Sequence, residues 1–320
     1  MWHEPIQSVL IDTDIGDDVD DAFGLALALR LPQLRVRGVT TVAGPVQARA
    51  RLAQSIIAAA GHTGVPVVAG SSTTSDGQMR SGRFSHQLLL EIENAQLRIE
   101  NVDTAASQST IYNLQSAIDL MLACSQASTP LTIIALGPLT NVAAALERDP
   151  SLASRARLVA MAGKLGYPYP DWNLRCDPAA AKRVLAAGMP ITLVGMHVTL
   201  RAKMRVEQLR RLFDGPDPLN VALARCVLAW RTWKRRMPIL HDALTVAVAA
   251  DPTLAHLRPR RVYVGWRGFS FATRMAIPNA LVCTAVDLGR FHALLDAQLL
   301  GGATPQAHCG PWCRLLRAIV

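Results

Sequence analysis

Short runs rich in aliphatic and β-branched residues alternate along the chain with longer Ala- and Leu-rich stretches. The strand-like runs are SVLID, RVRGVTTVA, PVVAG, LTIIAL, ARLVAMA and PITLVGM. Between them the spacing predicts helices at about 20–31, 46–60, 110–127, 139–148, 177–187 and 219–235. Strands apolar throughout belong to sheets covered on both faces, and their alternation with helices argues for βαβ units. The expected fold is therefore α/β, an open and mainly parallel twisted sheet flanked by helices.

Helix punctuation agrees with this pattern. In GPLTNVAAALERDP, Thr140 or Asn141 stands at an N-cap position, and Pro150 lies just past the end. DPAAAKRVLAAGMP opens on Asp177-Pro178 and closes at Gly188. No internal repeat or low-complexity linker interrupts the chain, so residues 1–320 are read as one domain. Residues 71–110 are its least regular stretch and are read as an irregular loop insertion.

Unusual polar residues follow the strands: Asp12 and Asp14 after the first, Gly44 after the second, Gly137 after LTIIAL. Open α/β sheets bind ligands outside the carboxyl ends of their strands, so these residues are placed to converge on one crevice. The first group is the densest. VLIDTDIGDDVDDAFGLALAL packs Asp12, Asp14, Asp17, Asp18, Asp20 and Asp21 into ten positions.

Composition makes that cluster more conspicuous. Half of the 320 residues are apolar, enough for a large core, and the formal net charge is +9. Lys and Arg are scattered, densest in LRAKMRVEQLRRL and WRTWKRR, which reads as a solvated basic face rather than a nucleic-acid site. The six cysteines are too sparse for a disulfide scaffold. Cys309 and Cys313 in HCGPWC stand one residue too far apart for a C-x-x-C pair. The opening MWHEPIQ has no basic stretch ahead of an apolar segment, and no apolar run is long enough to span a bilayer. A soluble cytoplasmic protein is expected.

Crowded carboxylates raise one another's pKa unless something offsets the repulsion. Calcium takes roughly six to eight oxygen ligands, carboxylates and backbone carbonyls among them. A strand end with Asp12 and Asp14, a Gly-containing turn, and Asp20 and Asp21 opening a helix can aim several carboxylates at one ion. The plainer alternative has Asp20 capping the helix and the others facing water. DTDIG also resembles the opening of haloacid-dehalogenase-type phosphatases. The Thr/Ser, the Lys and the later acidic pair of that family find no convincing place here.

The fuller similarity is to the inosine-uridine-preferring nucleoside hydrolases, whose N-terminal signature is usually D-T-D-P-G-x-D-D-A. Here two residues are inserted before the final pair. GVTTVAG, GVPVVAG, ALGPLTNVAAAL, DWNLRCDPAAA, LVGMHVT, LHDALTVAVAADP and AVDLGRFHALL line up in order over nearly the whole chain. The resemblance implies a Rossmann-like core, cleavage of the N-glycosidic bond of ribonucleosides, and a tightly bound Ca²⁺. It assigns carboxylate ligands to Asp14, Asp21 and Asp242, and a backbone carbonyl ligand to Leu136. It makes Asp14 also the general base on the metal-bound water, with Asp20 holding that water or a ribose hydroxyl. It associates His241 with protonating the departing base; a packed helix-terminal His is the other reading. Asn173 matches an Asn that bonds ribose hydroxyls, and Asp171 stands where Glu usually reaches toward the 5′-hydroxyl. Trp230 and Trp233 either face a nucleobase or fill the core, as Met161 either lines the sugar pocket or fills the core. A small-molecule nucleoside substrate and a homodimer or homotetramer are implied, with no nucleic-acid or membrane partner.

The chain departs from the family pattern at three places. Pro45 replaces the Asn after TTVAG, His197 replaces an Asp, and the short 164–170 stretch lacks a Gly-Asn pair. The metal ligands look intact and sugar recognition looks rebuilt, which implies altered specificity. A non-catalytic nucleoside- or metabolite-binding protein on the same scaffold is the alternative, and a metal-dependent phosphatase a third. Asp17 and Asp18 have no role in any of these readings.

Overall fold

A sheet that starts in its own middle leaves a crevice where the chain turns back. In the computed structural model, which describes residues 6–79, 116–128, 130–165, 169–231, 234 and 236–301, the first strand is central. β1 (Gln7–Thr13) is followed outward by β2 (Leu34–Thr41) and β3 (Val67–Ala69) on one side. The chain then returns, and β4 (Leu131–Ala135), β5 (Ala156–Ala160) and β6 (Ile191–Leu193) extend the other side. All of these pairings are parallel. The switch point thus lies between the carboxyl ends of β1 and β4, where Asp12, Asp14 and Leu136 stand.

Helices cover both faces. On one side lie α1 (Asp20–Arg30) and α2 (Val46–Ala59), with later helices joining them. The other side holds α3 (Ala117–Ala127) and α4 (Thr140–Arg148), with the short α5 (Leu152–Arg155) beyond them. The alternation of β1 shows the division: Val9 and Ile11 join the first core, Leu10 the second. After β5 come α6 (Trp172–Cys176) and α7 (Pro178–Ala186). After β6 come α8 (Met196–Thr199), α9 (Val206–Asp214), α10 (Pro218–Arg231) and α11 (His241–Ala250). The last helix is α12 (Leu288–Leu299).

The expected strands and helices are present among the described residues, with two corrections. Thr140 and Asn141 are the first residues of α4 rather than its cap, which is Leu139. Their side chains are used at longer range, on Asp177 and Asp12. The C-terminal part of the sheet adds strands that the apolar pattern does not predict: β7 (Ala255–Val264) runs antiparallel between β9 (Ala280–Val286) and the edge strand β8 (Ser270–Thr273). Its sequence, AHLRPRRVYV, lacks an apolar run because much of β7 is only half-buried or exposed. The expected 219–235 helix is described from Pro218 to Arg231, and Trp233 lies outside the described residues. So do Cys309, Cys313, residues 80–110 of the expected insertion and the start of the expected 110–127 helix. Among the described residues no helix is long and apolar enough to cross a membrane.

Two helices set the geometry at the floor of the crevice. DAFGLALAL and DALTVAVAA are apolar on every face, and such helices belong in the interior. Accordingly α1 is buried from Asp20 to Leu29, and α11 from Asp242 to Ala250, the two packing on each other. Gly24 permits the approach: a Cβ there would lie 3.1 Å from Asp242 Cβ and 3.1 Å from Leu136 Cδ1. Helix α1, helix α11 and the end of β4 therefore meet at one hydrogen atom. Gly24→Val is expected to overpack this junction by about 1–3 kcal/mol, read as a lower midpoint in thermal unfolding. A variant as stable as the parent would show that the junction has slack.

Candidate functional site

The acidic residues meet where the sheet and these two helices converge. Asp20 and Asp21 occupy the first turn of α1, and Asp242 the first turn of α11. One carboxylate oxygen from each lies within 4.8 Å of the others, and all three side chains are buried. Asp14, just past β1, is close enough for its charge to act on all three. Both helix N-termini direct partial positive charge into the group. The Thr13 hydroxyl donates to Asp21, and Asp20 and Asp242 lie close enough to shift each other's pKa.

Such a group is costly to build without a counter-charge. Burial pushes the Asp14 carboxyl up to about 6, with Arg49 opposing and Asp17 reinforcing. Burial also drives Asp20, Asp21 and Asp242 well above the usual carboxylate range, with repulsion from neighbouring carboxylates adding to it. An all-oxygen donor set in a dry, shared space suits a hard divalent cation. The carbonyl of Leu136 stands at the same end of β4, and Asn173 donates its amide to it at 2.6 Å and to Met161 O at 2.9 Å.

Asp12 is part of the frame. Its Oδ1 accepts from Thr40 Oγ1 at 2.6 Å and from Asn141 Nδ2 at 2.8 Å, tying β1 to β2 and α4. Burial lifts its pKa to about 7 against those two hydrogen bonds.

The two aspartates without a role in the sequence have partners here. Arg49 of α2 is wholly buried, and its Nη2 pairs with Asp17 Oδ2 at 2.8 Å. The same guanidinium donates to Ile15 O at 2.8 Å, to Ala43 O at 2.7 Å and to Asp14 O. One side chain thus grips the backbone of the acidic turn and one of its carboxylates. Asp18 pairs with Lys234 at 3.1 Å. In the sequence Arg49 sits in QARARLAQ, where nothing separates it from a solvated helix residue.

The α6 segment braces the opposite wall. Asp171 caps the helix through Leu174 N at 3.2 Å and takes Gly163 N at 2.9 Å, so both oxygens are engaged by backbone groups. Burial raises its pKa to about 6 against those bonds. Trp172, not singled out in the sequence, is 38% exposed, and its side chain is close enough to Asp14 to oppose the rise of that carboxyl's pKa. The Met161 side chain is buried against Asn173, and Trp230 is buried in the core.

His241 opens α11, with Nδ1 2.6 Å from Thr199 Oγ1. Burial lowers its pKa to about 4, with Asp18 opposing and Arg236, Lys164 and Lys234 reinforcing. The ring is neutral at pH 7. His197 donates Nε2–H to Cys283 O at 2.9 Å, tying α8 to β9, and burial keeps it neutral as well.

Sheet order agrees with what comparison shows. The chain belongs to the inosine-uridine preferring nucleoside hydrolase family, whose model matches residues 9–293. It is by class an N-glycosyl hydrolase. The pyrimidine-specific ribonucleoside hydrolase RihA of Escherichia coli O9:H4 (strain HS) is 29% identical over 317 residues, covering 91% of this chain and 97% of that protein. The plant nucleoside hydrolase PpNRh1 superimposes with a TM-score of 0.79 at 25% identity, over 92% of this chain and 99% of that one. A purine-preferring ribonucleoside hydrolase from Gardnerella vaginalis gives 0.75 at 26% identity, over 92% and 98%.

Removing one partner of a buried ion pair costs more than the pair contributes. Arg49→Met is therefore expected to lose about 3–5 kcal/mol in denaturant unfolding, because Asp17 and three carbonyls lose their donor together. Asp17→Asn should cost about 1–2 kcal/mol, since the guanidinium keeps its carbonyls. Equal losses for both would contradict this division.

Proposed function

We propose that the chain hydrolyses the N-glycosidic bond of ribonucleosides with the help of a calcium ion held by Asp14, Asp21, Asp242 and the Leu136 carbonyl. The observation that carries this reading is the buried carboxylate group at the switch point, in a chain of this family. When bound, the ion supplies Lewis-acid polarisation and the charge that lets the carboxylates stay ionised. Asp14 takes the proton of the attacking water, a task suited to a carboxylate whose basicity burial has raised. Asp20 orients the water or a sugar hydroxyl. Asn173 is fixed by two carbonyls, which sets its side-chain plane beside the sugar. His241 meets the departing base as a neutral ring oriented by Thr199. The assembled enzyme is a homodimer or homotetramer in this reading.

Leaving-group chemistry tests these roles. His241→Ala should lower kcat on a nucleoside about 100-fold yet spare a p-nitrophenyl riboside, whose phenolate needs no help. Asp14→Asn should lower both by about 1000-fold. Equal sensitivity of the two substrates to His241→Ala would remove that residue from leaving-group assistance.

Metal removal gives a second test, with a definite sign. Carboxyls with raised folded-state pKa values keep protons that the unfolded chain has released. Their stabilising contribution is complete below the unfolded pKa near 4 and is lost as pH rises through the folded values. Chelated protein should therefore unfold at lower temperature at pH 8 than at pH 5. Added calcium should flatten that dependence and restore turnover. If chelation changes neither stability nor activity, the calcium reading fails.

A further inference from the structure

Among the described residues the His241 ring makes a single hydrogen bond. Its partner is Thr199, the last residue of α8, which is wholly buried and whose Oγ1 lies 2.6 Å from Nδ1. The approach is built into the backbone. The segment after α8 pairs with the segment before α11: Leu240 N–H donates to Ala202 O at 2.8 Å, and Met204 N–H to Pro238 O at 2.9 Å. Lys203 and Ile239 form an antiparallel bridge between the same two segments. This short ladder holds the chain just past Thr199 and just ahead of His241. Among the described residues the threonine hydroxyl has no second hydrogen-bond partner, and the ring's Nε2 has none.

Counting hydrogens fixes the direction of the bond. A hydroxyl sealed from water has to place its hydrogen on an acceptor, since leaving it unpaired is costly. Nδ1 is the acceptor within reach, so Nδ1 carries no proton and the neutral ring carries its proton on Nε2. A doubly protonated ring would make Nδ1 a donor and strand the threonine's hydrogen in the interior. We infer that Thr199 is a positioning residue that locks His241 as the Nε2–H tautomer, so that the ring meets the departing base as a hydrogen-bond donor and not as a stored proton. The inference rests on the proposed hydrolase activity and refines it. A carboxylate or carbonyl partner at Nδ1 would select the opposite tautomer, whose bare Nε2 suits a base. In the reaction the electron pair of the C1′–N bond leaves with the nucleobase, and the Nε2–H stabilises the charge gathering there. Asp14 takes one proton of the attacking water and later returns it to solvent, while the freed base collects its own proton from solvent. The bases served are those that present a lone pair to the donor, on a carbonyl oxygen or an unprotonated ring nitrogen.

Isotope-labelled histidine, observed by nitrogen NMR, reads the tautomer directly, with the His241 signals assigned by their loss in His241→Gln. The full chain with calcium present should show a bare Nδ1 and a protonated Nε2 at neutral pH, and Thr199→Val should lose that preference. Turnover reads the consequence. Thr199→Val should lower kcat on uridine or inosine about 10-fold, the worth of one hydrogen bond. KM should stay within about 2-fold, and turnover of a p-nitrophenyl riboside should be unchanged. Thr199→Ser keeps the hydroxyl and should recover most of the loss. A residue that merely packs the site would slow both substrates alike and gain nothing from serine. A protonated Nδ1 in the parent, or equal losses on the two substrates, would overturn the inference while the hydrolase reading stands. Should Thr199→Val fail to fold, the parent's spectrum decides the tautomer. Absence of turnover on every substrate would sink the hydrolase reading, and the spectrum would still decide the tautomer.

Discussion

Like charges buried together are the constraint around which this molecule is organised. Asp14, Asp20, Asp21 and Asp242 are placed in the interior by elements that have no exposed face of their own. Helices α1 and α11 are apolar throughout, so their first turns end up inside with whatever side chains those turns carry. Most surface helices would let such carboxylates swing into water. Here the surrounding packing forbids it, and Gly24 brings the two helices close enough that the carboxylates share one space. The cost of that arrangement is spread over two helix termini, the Thr13 hydroxyl and the Arg49 guanidinium, with the calcium ion proposed above in the central role.

Much of this was legible in the chain, for physical reasons that can be named. Continuous apolar strands and Ala/Leu helices give the parallel half of the sheet directly, because burial on both faces removes the alternation that would confuse the reading. The acidic cluster stood out because it opposed both its apolar neighbours and the net charge. What was illegible depends on contacts between distant segments. Arg49 pairs with Asp17 across 32 positions and Lys234 with Asp18 across 216, and nothing local marks either basic residue. Thr140 and Asn141 looked like caps because their residue types favour caps. Only the tertiary structure shows them holding Asp177 and Asp12 instead. Trp172 was hidden between two residues that drew attention on their own account. The antiparallel β7–β8–β9 region escaped because a half-exposed strand rich in Arg carries no apolar run.

The two sides of the crevice are built on different principles. The acidic side is made from core elements, where each change of volume or charge is felt by the whole packing. The opposite wall is made from a short segment after β5 and from α6, held in place largely by side-chain-to-backbone hydrogen bonds. Asp171 illustrates the difference. Its carboxylate takes two backbone N–H groups and thereby fixes where Gly163, Trp172 and Asn173 stand. A shorter side chain than the family's usual Glu serves this bracing role well, since it closes the loop at hydrogen-bond distance.

Gly268 shows how far that second principle extends. It lies in the turn between β7 and β8 with a φ of +81°, and a Cβ there would fall 2.4 Å from Leu174 O and 2.5 Å from Arg175 N. The hairpin therefore presses its bare backbone onto α6, while Ser270, two residues on, holds Lys164. A late, solvent-facing excursion of the chain thus acts as the mould for one wall of a crevice whose other wall was set at the first strand. Changes in the hairpin consequently bear on that wall without touching the elements that hold the acidic centre. In that turn Gly268 has no room for a side chain, whereas the exposed Trp266 and Arg267 project into solvent.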